Sequence, residues 1–590
     1  MRRLIGSAAA ALLAAPLLLV AADPARAALG PEVVKVWLVN AATGDRIDEL
    51  TDYETLDLAF LPATLSVEAE VDGKTSSVRF AVDNVVVRTE NGAPYALGGD
   101  TNGTFAAVAR LRQGGWVDLR ATPFANDNAA GTAGPVAIRR VYLRQPDFVV
   151  SSTSDLKDAK PGDGSCASPI VIVTPPGGFT TTAAASPAAA PGPVVTAAPK
   201  KTGCTLRAAI EEANALPGRQ TISIDGTKGV YKLTKGQLQI TGDVDLNGYF
   251  RPVVDAQGTS QTMYIGGTPA DELLVNISNV ELANGEGQTS IERGGNLFIE
   301  YALLQLSRSV VRGGQGNFGG GIYLQNGGDL TLDSSIVRDN WAGHPANFGG
   351  GGQTQRGGGI YNLDGNVLIR HSSIVDNHAV RGGGIANGKG TVRIEDSSII
   401  GNEAASQGGG IENLEQGGVS PKLHISFSTI TNNKAGVSNA DPQINRTGGG
   451  LYNTGTAFVA SSIIAQNTDG LYKQHANYSP DCWSLTTYDA KSYRNNVVGI
   501  LNANCKLGDY SSGTTAFMKV GTPDAPLDPK LLSRNGGGGN PVYRTPIAGS
   551  PALDYGGGSG NAIYPCPSRD VRNYARPAGA GCDAGSAERQ

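Results

Sequence analysis

After residue 27 the chain has no long apolar run. It also has no Cys-x-x-Cys pair, no histidine cluster and no marked excess of charge of either sign. Each absence removes a class of function. Without a later stretch of about twenty apolar residues, no membrane-spanning helix is expected. A formal net charge of −5 over 590 residues argues against a nucleic-acid partner or a polybasic membrane patch. The six cysteines lack zinc-site spacings and the five histidines (344, 371, 378, 424 and 475) are scattered, so there is no metal signature. Glycine is abundant, at 81 residues, yet has no period of three, which excludes a collagen-like chain and leaves the excess to be explained.

The glycines are explained by repetition. "GGGIYL" at 319–324 is followed by "GGGIYN" at 357–362, "GGGIAN" at 382–387, "GGGIEN" at 408–413 and "GGGLYN" at 448–453. Each box precedes a second one: "SSIVRDN" (334–340), "SSIVDN" (372–377), "SSIIGN" (397–402), "STITNN" (428–433) and "SSIIAQN" (461–467). The unit is about 25 residues at its shortest and 38–40 where loops are inserted. Short β-branched runs at such a period, without helices between them, predict a stacked β-solenoid. Leucine-rich repeats would need a leucine and asparagine frame that is absent, and propeller blades would be longer throughout. A phosphate loop needs one such box between a strand and a helix, followed by Lys and Ser or Thr, and that pattern is missing here.

Stacking assigns roles to the repeated positions. Ile360, Ile385, Ile411 and Leu451 are expected in one inward column, and Ile336, Ile374, Ile399, Ile430 and Ile463 in a second. Asn377, Asn402 and Asn433 close the second box, where their amides can bond from coil to coil. Glycines supply positive φ at the corners. About ten coils at about 4.8 Å each predict a rod of roughly 50 Å.

The rest of the chain divides around this array. Residues 1–27, with Arg2, Arg3, an apolar run and Ala25-Arg26-Ala27, read as a secretory signal peptide. Residues 28–146 carry alternating runs such as "VVKVWLVN" and "VRFAVDNVVV", which predict an all-β sandwich of the accessory kind. A Pro/Ala/Thr-rich insertion at 168–202 reads as disordered or extended. "CTLRAAIEEANALPG" (204–218) is the one amphipathic helix pattern of the mature chain, capped by Thr205 and stopped by Pro217-Gly218. It lies where the raw edge at the amino-terminal end of a solenoid needs a cover. The β-helix is expected over 219–520 and a carboxy-terminal region over 521–590. Six cysteines allow fifteen connectivities. Sequential bridges Cys166–Cys204, Cys482–Cys505 and Cys566–Cys582 are expected, because each closes a local loop poor in secondary-structure signals.

"DAKPGDGSC" (158–166) followed by "CTLRAAIEEANALPG" resembles the CSLREA domain that opens many exported bacterial β-helix proteins, with Ala208 where that family usually has Glu. The repeats resemble those of the polymorphic outer-membrane-protein and pectate-lyase-like superfamily. "SPALDYG" (550–556), "DVRNYARP" (570–577) and "CDAGSAE" (582–588) resemble the choice-of-anchor Q domain. The resemblance spans 147–590 and implies a right-handed, single-stranded parallel β-helix. It also implies a carboxy-terminal anchor. None is found before Gln590, so release, or another means of retention at the surface, is expected.

Function is the least legible part. Right-handed β-helices include polysaccharide lyases, hydrolases and passive surface proteins, so the fold does not select among them. An uronate lyase needs a cation for the carboxylate and a base at the α proton, whereas a hydrolase needs two carboxylates across the bond. Arg356 and Arg381 each precede a glycine box and are expected in one column. Asp339 and Asp376 precede equivalent asparagines, His378 follows, and Glu395 and Asp396 come one coil later. Arg356, Asp376, His378, Arg381 and Glu395 are therefore the candidate site, flanked by inserted loops at 341–356 and 436–447. No complete acid–base set is visible. The expected protein is a secreted or surface monomer that binds polysaccharide or mediates surface interaction, without evident catalysis, and requires no cofactor. A lyase acting on an acidic glycan, with Ca2+ admitted, ranks ahead of a hydrolase as the alternative. The boxes themselves read as scaffold, with function in the residues that break them.

Overall fold

The computed structural model describes residues 30–101, 104–167, 203–287, 293–343, 355–437, 447–471, 478–485, 494–507, 518–537, 540–557 and 565–590. The expected signal peptide, the Pro/Ala insertion at 168–202 and most of the two inserted loops lie outside the described residues. The chain forms two compact units, 1–145 and 146–590.

The first unit is the expected β-sandwich. Among its described residues a four-stranded sheet faces one of six strands, which includes the long strand Gly115–Asn126. Alternation along the strands turns Val36, Leu38, Val67, Phe80, Val117, Leu119 and Val141 into one core.

The second unit is a parallel β-helix. Each coil contributes one strand to each of three long sheets of nine, ten and eleven strands among the described residues. One complete coil shows the plan. Ile360–Asn362, from the glycine box, joins the box sheet, and Asn366–Arg370 joins the alternating sheet. Ser373–Val375, from the second box, joins the serine sheet, and His378–Ala379 joins a short fourth sheet. Ten steps along the eleven-stranded sheet make a stack about 48 Å long. Inside it a continuous apolar core runs from Phe148 to Met518.

The triple glycine is required by the neighbouring coil. Gly382 has φ +62°, a left-handed conformation. A Cβ on Gly383 would lie 2.4 Å from the Glu403 carbonyl oxygen, and one on Gly384 would lie 2.6 Å from that of Gly410. The box is therefore a corner at which successive backbones come closer than any side chain permits.

Register is carried by buried amides. Asn340, Asn377, Asn402, Asn433 and Asn467 each donate Nδ2 to the Oδ1 of the next ladder member at 2.9–3.0 Å, and Asn467 donates to Asp481. Asp481 has no amide proton to pass on, so the row ends on an acceptor. A second ladder runs Asn362, Asn387, Asn413, Asn453 and then Ser484. A third links the backbone N–H of Ser335, Ser372, Ser397 and Ser428 to the next serine hydroxyl.

These ladders correct one expected column. Aligning the second boxes on their serines placed Ile336 and Ile463 inward. The asparagines set the register instead, pairing Val337 with Ile374, Ile399, Ile430 and Ile464 inside, while Ile336 and Ile463 fall outside.

The amino-terminal end carries a dedicated cover. Helix Leu206–Ala215, with Thr205 accepting from Ala208 N–H, buries Leu206, Ala209, Ile210 and Ala213 in the apolar core. Arg207 forms a buried ion pair with Asp155, and Glu212 accepts from the Gly162 and Gly164 N–H groups, which ties 155–164 to the helix. All three expected disulfides are present.

The carboxy-terminal region does not stand apart from the coils. It packs on the outer face of the serine sheet, where Val542 exchanges two hydrogen bonds with Ser373 and Ser586 bonds Ser398 and Thr429. The motifs of 570–588 knot this strap. Asp570 accepts from Arg572, Tyr574 and Glu588, and Arg576, wholly buried, donates to the Gly585 carbonyl.

Two outcomes follow. Asn402→Ala leaves the Asn377 N–H and Nδ2 without their acceptor and is expected to cost about 2–4 kcal/mol, read as a lower thermal midpoint of the β-helix unit. Asp396 lies 3.9 Å from Arg576, and its burial pushes its pKa up to about 7 against the pull of that guanidinium. A carboxyl raised in the folded state contributes stability below its ordinary value and loses it as pH rises through about 7. Hydrogen exchange across 570–588 should therefore speed up between about pH 5 and about pH 8, beyond its intrinsic base catalysis, and Asp396→Asn should remove that excess.

Candidate functional site

Two adjacent columns outside the core break the uniformity of the coils. One is the residue just before each glycine box, at the corner between the short sheet and the box sheet. Isolated bridges stack Arg293, Phe318, Arg356 and Arg381 there. The other is the fifth letter of the box, which points away from the core. It reads Tyr264, Phe298, Tyr323, Tyr361, Ala386, Glu412, Tyr452 and Trp483 in successive coils. In-register parallel strands place these side chains directly above one another, so a ring at one rung meets a ring at the next.

The fifth-letter column is aromatic at both ends. Tyr264, Phe298 and Tyr323 meet edge to face with centroids 5.4 Å apart, and Tyr452 lies flat on Trp483 at 4.5 Å. The corner column leans onto it. Arg293 sits over Tyr323 and Phe318 stacks on Tyr361 at 5.6 Å.

In the middle the rings stop. Ala386 leaves one rung without bulk, and the next rung is Glu412, buried at the base of the gap. Arg356 crosses above Ala386 to reach Glu412 Oε2 at 3.4 Å. Arg381 brings Nε to 2.7 Å from Oε1, and Gln407 donates to the same oxygen. Each arginine side chain keeps 15% of its surface in solvent. Two cations over one carboxylate leave this part of the strip with one excess positive charge. Burial raises the Tyr361 and Tyr452 hydroxyls above their ordinary value, so the flanking tyrosines stay protonated as donors near neutral pH.

The five residues singled out from sequence separate into distinct environments. Arg356 and Arg381 share one column and one partner. His378 lies on the short sheet, stacked on Trp341 at 4.0 Å and 3.7 Å from Glu403, which itself binds Lys434. Burial lowers the His378 pKa, so its imidazole is neutral at neutral pH. Asp376 is held by both terminal nitrogens of Arg534 from the carboxy-terminal strap. Glu395 ends a strand of the alternating sheet and pairs with Arg393. Asp376 and Glu395 are thus each committed to an arginine outside the strip.

Glu412, Gln407 and the tyrosines were missed. For Glu412 and the tyrosines the signal was present in the boxes, where Tyr361, Ala386, Glu412 and Tyr452 occupy the letter that varies most in chemical type. Reading the box as scaffold concealed it. Among the described residues no group of three or more His, Cys, Asp or Glu side chains converges as a metal site, and no helix is long and apolar enough to cross a membrane.

No protein-family model matches the chain, and no curated protein matches it significantly.

Removing the shared carboxylate tests the arrangement. Glu412→Gln leaves two guanidiniums facing each other over a buried amide and is expected to cost about 3 kcal/mol in thermal unfolding. Adding Arg381→Met should recover most of the loss.

Proposed function

We propose that the protein is an exported, noncatalytic β-helix that binds an acidic polysaccharide along the strip between the corner and box columns. The observation that carries this reading is the break at Ala386 and Glu412, where Arg356 and Arg381 bring excess positive charge between aromatic flanks. A uronate or sulfate group offers a bidentate acceptor to a guanidinium, and the half-buried Phe318 and Trp483 offer ring faces to sugar C–H groups, while Tyr361 and Tyr452 are buried. A strip along stacked coils suits a polymer, since the coils follow one another at a constant rise.

Export is supported by residues 1–27 as a signal peptide and by three disulfides, which persist in oxidising compartments. The CSLREA-like and choice-of-anchor Q-like motifs support a place among exported β-helix proteins. The noncatalytic reading is supported by the composition of the strip. Glu412 is its central carboxylate and is already engaged by hydrogen bonds from Arg356 and Gln407 and by the Arg381 ion pair, and its tyrosines are held protonated.

Polygalacturonate, alginate and heparin are the probes. Binding to at least one is expected at low salt, weakening as salt rises. Arg356→Met with Arg381→Met should reduce affinity about tenfold or more, about 1.4 kcal/mol. Ultraviolet absorbance of an unsaturated uronate appearing on incubation would overturn the noncatalytic reading in favour of a lyase. Absence of binding to all three would overturn the acidic-glycan reading.

A further inference from the structure

The sandwich unit carries a surface feature that its core does not need. On the outer face of the six-stranded sheet, Trp116 stands directly opposite Tyr142 on the neighbouring strand, with ring centroids 5.4 Å apart. Tyr53 adds a third ring 6.2 Å from Trp116. Trp116 is 56% exposed and Tyr53 63%. Solvent-exposed rings of this size in a contiguous row mark a binding surface more often than a packing accident.

The row is held in place. Tyr53 has φ +63°, a left-handed conformation that costs a non-glycine residue about 1 kcal/mol or more. Its N–H donates to the Arg140 carbonyl, and its hydroxyl accepts from the Arg140 guanidinium, which also lies over the ring. Arg110 donates to the Trp116 carbonyl. Backbone strain spent on presenting a ring to solvent points to use of that ring.

The chemistry of the surroundings selects the ligand. Next to the rings lie Asp118, which pairs with Arg120 and Arg140, and Asp52, which pairs with Arg140. Arg110 beside Trp116 pairs with Asp83, so the three carboxylates and three guanidiniums around the rings cancel and the patch attracts neither anion nor cation. It offers donors and acceptors side by side, as vicinal hydroxyls require. We propose that the Tyr53–Trp116–Tyr142 row is a second glycan site, on the sandwich, for a neutral β-linked polysaccharide whose equatorial hydroxyls leave C–H faces for the rings. It is separate from the strip on the β-helix. The rings meet at 75° and 57°, so they form no plane. Such a surface follows a single twisted chain rather than a flat crystalline face.

The full chain is tested by affinity electrophoresis in gels containing hydroxyethylcellulose, mixed-linkage β-glucan or xylan, and by sedimentation with crystalline cellulose. Retardation is expected in at least one gel. Trp116→Ala should abolish it, and Tyr142→Phe should keep it. Near-ultraviolet circular dichroism confirms that Trp116→Ala is folded, and Arg140→Met, which frees Tyr53 without removing a ring, should weaken retardation severalfold. Migration unaffected by all three polymers, or equal migration of Trp116→Ala and the parent chain, would overturn the proposal. Co-sedimentation with crystalline cellulose, undiminished by Trp116→Ala, would also overturn it.

Discussion

The hydrogen bond from one asparagine side chain to the asparagine one coil above is the interaction on which the β-helix unit depends. Each Asn of the main ladder donates Nδ2 to the next Oδ1 and accepts in return the backbone N–H of the coil below. Apolar stacking alone would tolerate a slip of two residues along a strand, because alternate side chains face the same way. A buried amide does not tolerate it, since each slipped rung would strand two donors without partners. The ladder converts a sticky stack into one with a single register, and it stops where Asp481 supplies an acceptor with no proton to hand on.

With register set, every other column follows. The glycines of each box meet the glycines of the next, leaving no room for a Cβ. The serine sheet turns Ser373, Ser398 and Thr429 outward in a row, and the carboxy-terminal strap uses that row for its hydroxyl contacts. The strap's motifs are therefore a docking device, and Arg576 among buried acidic groups makes that docking sensitive to proton concentration.

The candidate site arises from the same constraint. A repeat that holds three glycines, a branched apolar residue and usually an asparagine leaves the fifth letter of the box pointing outward and free to change in chemical type. Stacking then turns eight separate substitutions into one continuous strip. Arg356 was legible as a residue ahead of a box, and its column with Arg381 followed from the repeat. Their shared partner was not legible, because Glu412 lies two coils above Arg356 and the contact depends on Ala386 being small enough to reach across. Asp376 illustrates the opposite error. It sits beside His378 in sequence, yet a strap residue 158 positions later claims its carboxylate.

Periodicity alone determined the solenoid, the inward Ile360 column, the capping helix and the sandwich that precedes them, since each is a local pattern repeated or bounded within a few residues. The three disulfides were also legible, as closures of short loops. Tertiary structure decided which isoleucines of the second box face inward, where the strap lies and which charges meet. Those outcomes depend on what the neighbouring coil presents at one height, and an inserted loop changes sequence distance without changing that height. A one-residue difference between "SSIVRDN" and "SSIVDN" is invisible to a pattern aligned on serine. It is settled only when the asparagines must find each other in the core.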